Sequence, residues 1–365
     1  ERNSALLANV VDRAIRNNSR YRAAVSTEDK ALIYNQLKSN ASYIDSVKKA
    51  QTRVQVGFVV VDTKTGHIKS MVGGADKDFL YGLNHVTQIR RQPGSAFKPI
   101  IYTVAIDNGY FPAYSILNER RTYDKGWSPR NFSPDYGGYQ TLRQALAKST
   151  NVIAVSLIMN GLAPLNQIET YSRRLGIKTK LDVVPAIALG TGEVTPLELT
   201  AAYGTLANGG IYIEPISILR IEDRNGVLID QFSTESREAI SEQTAGIITN
   251  MMQDVINYGT AARTRQFFHR PAAGKTGTTQ EFADAWFVGF TPQLVGGVWV
   301  GFEDRRVSFR GSDGQGGRAA LPIWYKFMAE VYKELDIPLE YFDLPPGVET
   351  ARFCRYTIET LGDAK

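Results

Sequence analysis

The sequence predicts an α+β fold: a central antiparallel sheet flanked by helices, together with a mostly helical subdomain. Strand-like runs at residues 272–280, 283–291 and 293–302 follow one another so closely that they are expected to be adjacent antiparallel strands. Helical periodicity dominates the middle of the chain. With 43% hydrophobic residues in a length of 365, the protein can bury a substantial core as one large domain or two ordinary ones.

The elements follow in order. Residues 1–50 are rich in Asn, Ala, Lys, Arg and Ser and carry the helix-like stretches ALLANVVDRAIR and EDKALIYNQLK, which predict a helical lead-in or linker. From Gln55 the character changes. VQVGFVVVD and HIKSMVGG read as two strands around a tight TKTG turn, the first apolar enough to lie inside a sheet. AFKPIIYTVAIDNGY is a helix stopped by Asn108-Gly109, and the breaker Pro93-Gly94 just upstream places Ser95 at its N-terminus. TLRQALAKSTNVIAVSLIMNG, LNQIETYSRRLG and TPLELTAAYGTLANGG predict further helical stretches with Gly-rich ends. IYIEPISILRIED and GVLIDQF read as strands, SEQTAGIITNMMQDVINYG as a helix, and ALPIWYKFMAEVYKEL as an amphipathic helix before an irregular tail from Pro338.

Composition narrows the function. Net charge is +5 with a pI near 9.1, but Lys and Arg are spread along the chain without an aromatic-studded basic block, so no nucleic-acid groove is predicted. The mild positive balance suits an anionic polymer or a membrane surface. Cys354 stands alone, which excludes an internal disulfide and a cysteine metal cluster. His67, His85 and His269 are too scattered for metal-ligand spacing and are expected to be structural, so neither a metal nor a cofactor is called for.

Three short segments carry chemistry. Ser95-Ala96-Phe97-Lys98, Ser149-Thr150-Asn151 and Lys275-Thr276-Gly277-Thr278 occur in that order. A serine hydroxyl is a weak nucleophile and needs a base within hydrogen-bond reach, a proton route and donors for an oxyanion. On a helix, i and i+3 share a face, so Lys98 lies beside the Ser95 hydroxyl, and the helix N-terminus adds backbone N–H groups and the positive dipole end. Ser149 offers a relay hydroxyl, and Asn151 an amide able to hold a lysine and a substrate carbonyl. Around Lys275, small residues let a substrate backbone approach as in strand addition, and the charge of Lys275 disfavours protonation of Lys98.

Single triplets are weak signals, since Ser46 to Lys49 repeats the Ser-x-x-Lys spacing and Lys64-Thr65-Gly66 repeats Lys-Thr-Gly. Context separates the copies. Ser46 lies in the polar lead-in, and Lys64-Thr65-Gly66 sits where two strands reverse, so its Gly serves the turn. Trp286, Phe287 and Trp299 alternate within strands and are assigned to the core.

Together these residues resemble the penicillin-binding transpeptidase family. GLNHVTQIRRQPGSAFKPI, TLRQALAKSTNVIAVSL, LGTGEVTPLELTAAYGTLANGG and GTAARTRQFFHRPAAGKTGTTQEFADAWFVGFTP extend the likeness over roughly residues 55 to 330. Arg91-Gln92 before Pro93-Gly94-Ser95 is most similar to the class A, bifunctional branch. The resemblance implies a penicillin-binding/β-lactamase-like fold and a division into a lead-in or linker at 1–52, a transpeptidase domain at 53–335 and a C-terminal extension at 336–365. It also implies a glycosyltransferase domain and a membrane anchor in a longer parent protein, on the periplasmic or extracellular face of the bacterial membrane.

By the same resemblance Ser95 attacks the carbonyl between the last two D-alanines of a peptidoglycan stem peptide, and Lys98 is its general base. Ser149 and Lys275 bring a proton to the leaving D-Ala, and Asn151 holds Lys98 and the peptide. Backbone N–H groups of Ser95 and Thr278 form the oxyanion hole, while Thr276 and Thr278 bind the terminal carboxylate, or that of a β-lactam antibiotic. The acyl group then passes to an acceptor amine. A D,D-carboxypeptidase and a non-catalytic β-lactam sensor or scaffold are the alternatives. A class A β-lactamase is disfavoured, because Leu162 stands where its Glu-x-x-Leu-Asn segment needs Glu.

Overall fold

A computed structural model of the chain describes residues 2–76 and 82–352; Cys354 lies outside the described residues. Gln55–Asp62 (β1), Ile68–Val72 (β2), Ala273–Thr278 (β3), Asp284–Phe290 (β4) and Leu294–Gly301 (β5) form one five-stranded sheet. Its order is β2-β1-β5-β4-β3, with every neighbouring pair antiparallel. The first strand is therefore flanked by the last, and β3 forms one edge. Every residue of β4 and β5 is buried, because helices cover both faces of the sheet and remove the usual polar alternation.

The glycines of β5 fit those two covers. A Cβ on Gly297 would run into Thr200 of the helix Pro196–Ala207, whereas one on Gly296 would meet Trp324 of the helix Leu321–Glu334. Adjacent strand residues point to opposite faces, so the two helices lie on opposite sides. Trp324 is fully buried and donates from Nε1 to Gly289 O at 3.0 Å, which satisfies its one polar atom. Trp286 and Trp299 are also fully buried, in the core as expected.

Helices in the middle of the chain build the second part of the core. Lys98–Asp107 (α1) is buried from Lys98 through Ile106, with an apolar surface all round, as suits a helix enclosed by others. Leu142–Lys148 (α2) starts in a capping box between Thr141 and Gln144, and Asn151–Met159 (α3) follows it. The stretch 141–161, read from sequence as helical, is thus divided at Ser149. The strand-like runs near 211–231 do not join the central sheet. They form two two-stranded ribbons, Ile211–Ile213 with Ser236–Glu238 and Arg220–Glu222 with Leu228–Gln231.

The N-terminal helices Arg2–Asn17, Thr27–Ser39 and Ala41–Thr52 gather around Val11, Ile15 and Leu37, a small cluster separate from the main core. Ser46 is exposed on the last of them. Gly66 has φ 71 in the β1–β2 reversal, the turn role expected for Lys64-Thr65-Gly66.

Gly297→Ala tests the close approach of the Pro196–Ala207 helix to β5. The Thr200 hydroxyl it would strike is buried and donates to Pro196 O at 2.7 Å, so it cannot swing aside freely. The substitution is expected to cost about 1–3 kcal/mol, as overpacking does, and to lower the calorimetric Tm by several degrees. An unchanged Tm would show that the helix can move back without loss.

Candidate active site

Residues Gly94–Phe97 form a single 3-10 turn that runs into α1 at Lys98. Side chains three apart eclipse in such a turn, so Ser95 and Lys98 project from one side, while Ala96 and Phe97 are fully buried. Ser95 itself is only partly buried, which leaves its hydroxyl able to meet a substrate. The turn is wedged between two other backbones. Gly94 has φ 55, donates its N–H to Gly190 O at 3.2 Å, and lies so near Thr278 that a Cβ would overlap Thr278 O. A Cβ on Gly190 would strike Gly94 O, and one on Gly277 would strike Pro93 O. Below the turn, Tyr203 Oη donates to Ala96 O at 2.6 Å.

Lys98 is the hub. Its Nζ donates to Ser149 O at 2.7 Å and Asn151 Oδ1 at 2.7 Å, and lies 3.2 Å from Ser149 Oγ. The side chain is fully buried, and burial first, then the charge of Lys275, hold its pKa well below the ordinary lysine value. A neutral amine has two N–H bonds and one lone pair. The two carbonyl oxygens take the N–H bonds, so the lone pair is left to accept a hydroxyl proton.

Ser149 reaches Lys98 because its backbone is left-handed, with φ 60 and ψ 38. For a residue with a Cβ this conformation costs about 1–2 kcal/mol, and here it ends α2 and turns both the carbonyl and the hydroxyl of Ser149 onto Lys98. Asn151 opens α3 with its Nδ2 donating to Arg130 O at 2.8 Å. Its backbone N–H meets Asn131 Oδ1 at 3.0 Å.

The edge strand β3 supplies the third wall. Lys275 is fully buried, donates from Nζ to Thr276 O at 3.2 Å, and has its pKa brought down to about 7 by burial. Alternation puts Thr276 and Thr278 on the opposite face from Lys275 and Gly277. Thr276 Oγ1 pairs with Thr260 Oγ1 at 2.7 Å. Thr278 Oγ1 accepts from Gly316 N at 3.0 Å, which leaves its own proton free to donate to an anion.

The structure therefore joins Ser149 and Asn151 directly to Lys98, brings Lys275 within electrostatic reach, and sets Gly277 and Thr278 against the Ser95 turn. Thr276 is tied instead to Thr260. Arg130, Asn131, Gly190 and Thr260 complete the surroundings and were not singled out from sequence. Only Gly190 left a trace there, as the glycine ending the 3-10 segment Pro185–Leu189; the others lie 16 to 21 positions from the residues they hold.

A buried cluster stands behind the turn. Arg91 donates to Phe302 O and Glu303 O, both at 2.7 Å, and its backbone pairs with Val194. Arg91 and His85 both lie against Trp299, whose Nε1 donates to Asp284 Oδ1 at 2.8 Å. Among the described residues no group of three or more His, Cys, Asp or Glu side chains is placed to hold a metal ion, and no helix is long and apolar enough to cross a membrane.

Comparison with known proteins finds relatives over most of the chain. Residues 56–329 match the transpeptidase family described as the penicillin binding protein transpeptidase domain. Penicillin-binding protein 1A of Neisseria lactamica is 37% identical over 311 residues, covering 81% of this chain and 38% of that protein. Penicillin-binding protein 1A of Aquifex aeolicus is 39% identical over 295 residues, covering 79% of this chain and 39% of its own length. Among solved structures, penicillin-binding protein 1A from Haemophilus influenzae superposes with a TM-score of 0.75 at 28% identity, covering 80% of this chain and 49% of that one. The Mycobacterium tuberculosis PonA1 protein in complex with penicillin V gives 0.71 at 22% identity, over 94% of this chain and 99% of that one, a likeness of fold.

The depressed Lys275 pKa has a consequence for stability. Between the folded value of about 7 and the ordinary value of 10.5, the unfolded chain binds the proton more readily, so stability rises with pH across that window. Lys275→Met removes the buried amine and keeps its bulk. It is expected to raise the Tm at and below pH 7, with the gain shrinking as pH climbs towards 10.5. A gain that is constant with pH would show that Lys275 is not held below its ordinary pKa.

Proposed function

The chain belongs to the penicillin-binding protein transpeptidase family, and from that premise we propose that it is a peptidoglycan D,D-transpeptidase acting through a Ser95 acyl-enzyme. The observation that carries this reading is the buried Lys98 amine, one 3-10 turn from Ser95 and biased against protonation by burial and Lys275.

The chemistry follows from that amine. Ser95 Oγ attacks the carbonyl carbon between the two terminal D-alanines while its proton moves to the Lys98 lone pair. Negative charge develops on the carbonyl oxygen, where the backbone N–H groups of Ser95 and Thr278 would receive it. The close approach of Gly94 to Thr278 supports that pairing. The C–N bond then breaks. The proton passes from Lys98 through Ser149 Oγ to the leaving amine of D-Ala, and the 3.2 Å contact between them supports this route. Lys275, with a pKa of about 7, can assist as donor near neutrality.

The ester on Ser95 is next attacked by an amine on a neighbouring strand. That amine's proton returns by the same path, Ser95 Oγ regains its hydrogen, and a crosslink remains. The free proton of Thr278 would bind the donor's terminal carboxylate, with Thr276 beside it. A β-lactam presents an acyl carbonyl and a carboxylate to the same groups and would stop at the ester.

The chain spans 38–39% of the length of the curated relatives described above. We place the transpeptidase unit at 53–335. In the parent protein we propose a glycosyltransferase domain and an anchor that hold it on the outer side of the bacterial cytoplasmic membrane.

Labelled penicillin is expected to form a long-lived adduct that peptide mass spectrometry places on Ser95. Ser95→Ala should abolish it with the Tm retained, and Lys98→Met should slow it by at least about a hundredfold, the scale of a general base. Equal labelling of Ser95→Ala would sink the assignment. Incubation with glycan strands carrying intact stem peptides is expected to yield dimeric muropeptides. Shortened monomeric stems alone would mean that water, as in a carboxypeptidase, is the acceptor.

A further inference from the structure

Helix α3 begins without help from its own cap. Thr150, the N-cap residue, makes no capping hydrogen bond, and its hydroxyl instead donates to Gln140 Oε1 at 2.8 Å. The first N–H groups of a helix have no partner within it and need one from elsewhere. Asn131 supplies it from 20 positions away. Its Oδ1 accepts from Asn151 N at 3.0 Å and from Val152 N at 3.1 Å.

The same loop also fixes the Asn151 side chain. Asn151 Nδ2 donates to Arg130 O at 2.8 Å, so the amide must turn its oxygen the other way, onto Lys98 Nζ at 2.7 Å. Reversed, the amide would set its oxygen against a carbonyl and its NH2 against the amine donors. Consecutive residues Arg130 and Asn131 therefore hold Asn151 by side chain and by main chain. They are anchored in turn. Asn131 Nδ2 donates to Asn118 Oδ1 at 2.9 Å, and Asn118 Nδ2 to Asp135 O at 2.9 Å, closing the 118–138 loop on itself.

We infer that Asn131 is a positioning residue for the Ser95 reaction: it caps α3 from outside and so fixes Asn151 and, through it, the Lys98 amine. This rests on the acyl-enzyme reading above. An amine that drifts from Ser149 and Asn151 keeps its chemistry but loses its geometry. The loss should fall on the acylation step and spare the initial binding of the drug.

The test is stopped-flow acylation of the whole chain by labelled penicillin over a range of drug concentrations and pH. Asn131→Ala should lower the limiting acylation rate about tenfold to a hundredfold, the scale of a small misplacement of reacting groups, with the apparent Kd within about threefold. Asn118→Ala removes one anchor of Asn131 but leaves both of its bonds to α3, so it should lower the rate by less than Asn131→Ala. Asn131→Asp retains an oxygen able to accept from both N–H groups, so it should recover most of the rate at alkaline pH. Its carboxylate should also move the acid limb of the profile to higher pH by favouring the Lys98 ammonium.

A limiting rate unchanged in Asn131→Ala, or an equal loss in Asn118→Ala, would overturn the inference. Should Asn131→Ala fail to fold, an unmoved acid limb in Asn131→Asp would overturn it instead. Absence of any Ser95 adduct in the unaltered chain would defeat the acyl-enzyme reading, a different result from either of these.

Discussion

Everything around the site depends on keeping one lysine amine out of water. Lys98 is fully buried, and an unpartnered amine there would carry a heavy desolvation cost. It is met by oxygens of Ser149 and Asn151, which requires α2 to stop in a left-handed residue and α3 to begin two residues later. A continuous helix through this stretch would bond the Ser149 carbonyl within itself. The break that interrupts regular structure is thus what makes the buried amine tolerable.

A second constraint is the convergence of main chains. Gly94, Gly190, Gly277 and Gly316 each lie where a Cβ would strike a backbone oxygen of another segment. The Ser95 turn, the end of the Pro185–Leu189 segment, β3 and the start of Gly316–Ala319 approach one another as backbone against backbone. That packing brings the main chains of several segments beside the Ser95 turn, where a side chain larger than hydrogen has no room. β3 lies at the sheet edge, yet its residues are buried as far as Gly277, because the Ser95 turn and Gly316 pack against it.

The two lysines form one electrostatic unit. Burial lowers both, and the charge on Lys275 lowers Lys98 further. With its pKa brought down to about 7, Lys275 loses its charge as pH rises through neutrality, and its effect on Lys98 falls with it. From the sequence, a charged Lys275 was expected to attract a carboxylate and to disfavour protonation of Lys98. In the folded protein burial comes first and that charge second.

Much of the architecture was legible before folding, because it rests on local pattern. Apolar runs at β1, β4 and β5 marked strands, Asn108-Gly109 marked a helix end, and Pro93-Gly94 marked the turn ahead of Ser95. The helical turn linking Ser95 to Lys98 was legible too, since positions three apart share a side in any helical turn. Other features were hidden. Ser149 gives no sign of its φ of 60, because a Ser has no intrinsic need for that conformation and accepts it only for the bonds it gains. The ribbons near 211–231 read like sheet strands, as β-propensity does not say which edge a strand will find. Residues 95, 98, 149, 151 and 275–278 were singled out as candidates by the sequence alone. The joining of Ser149 and Asn151 to Lys98, and the hold of Asn131 on α3, were decided only in three dimensions, since a hydrogen bond across 20 residues leaves no periodic trace in the chain.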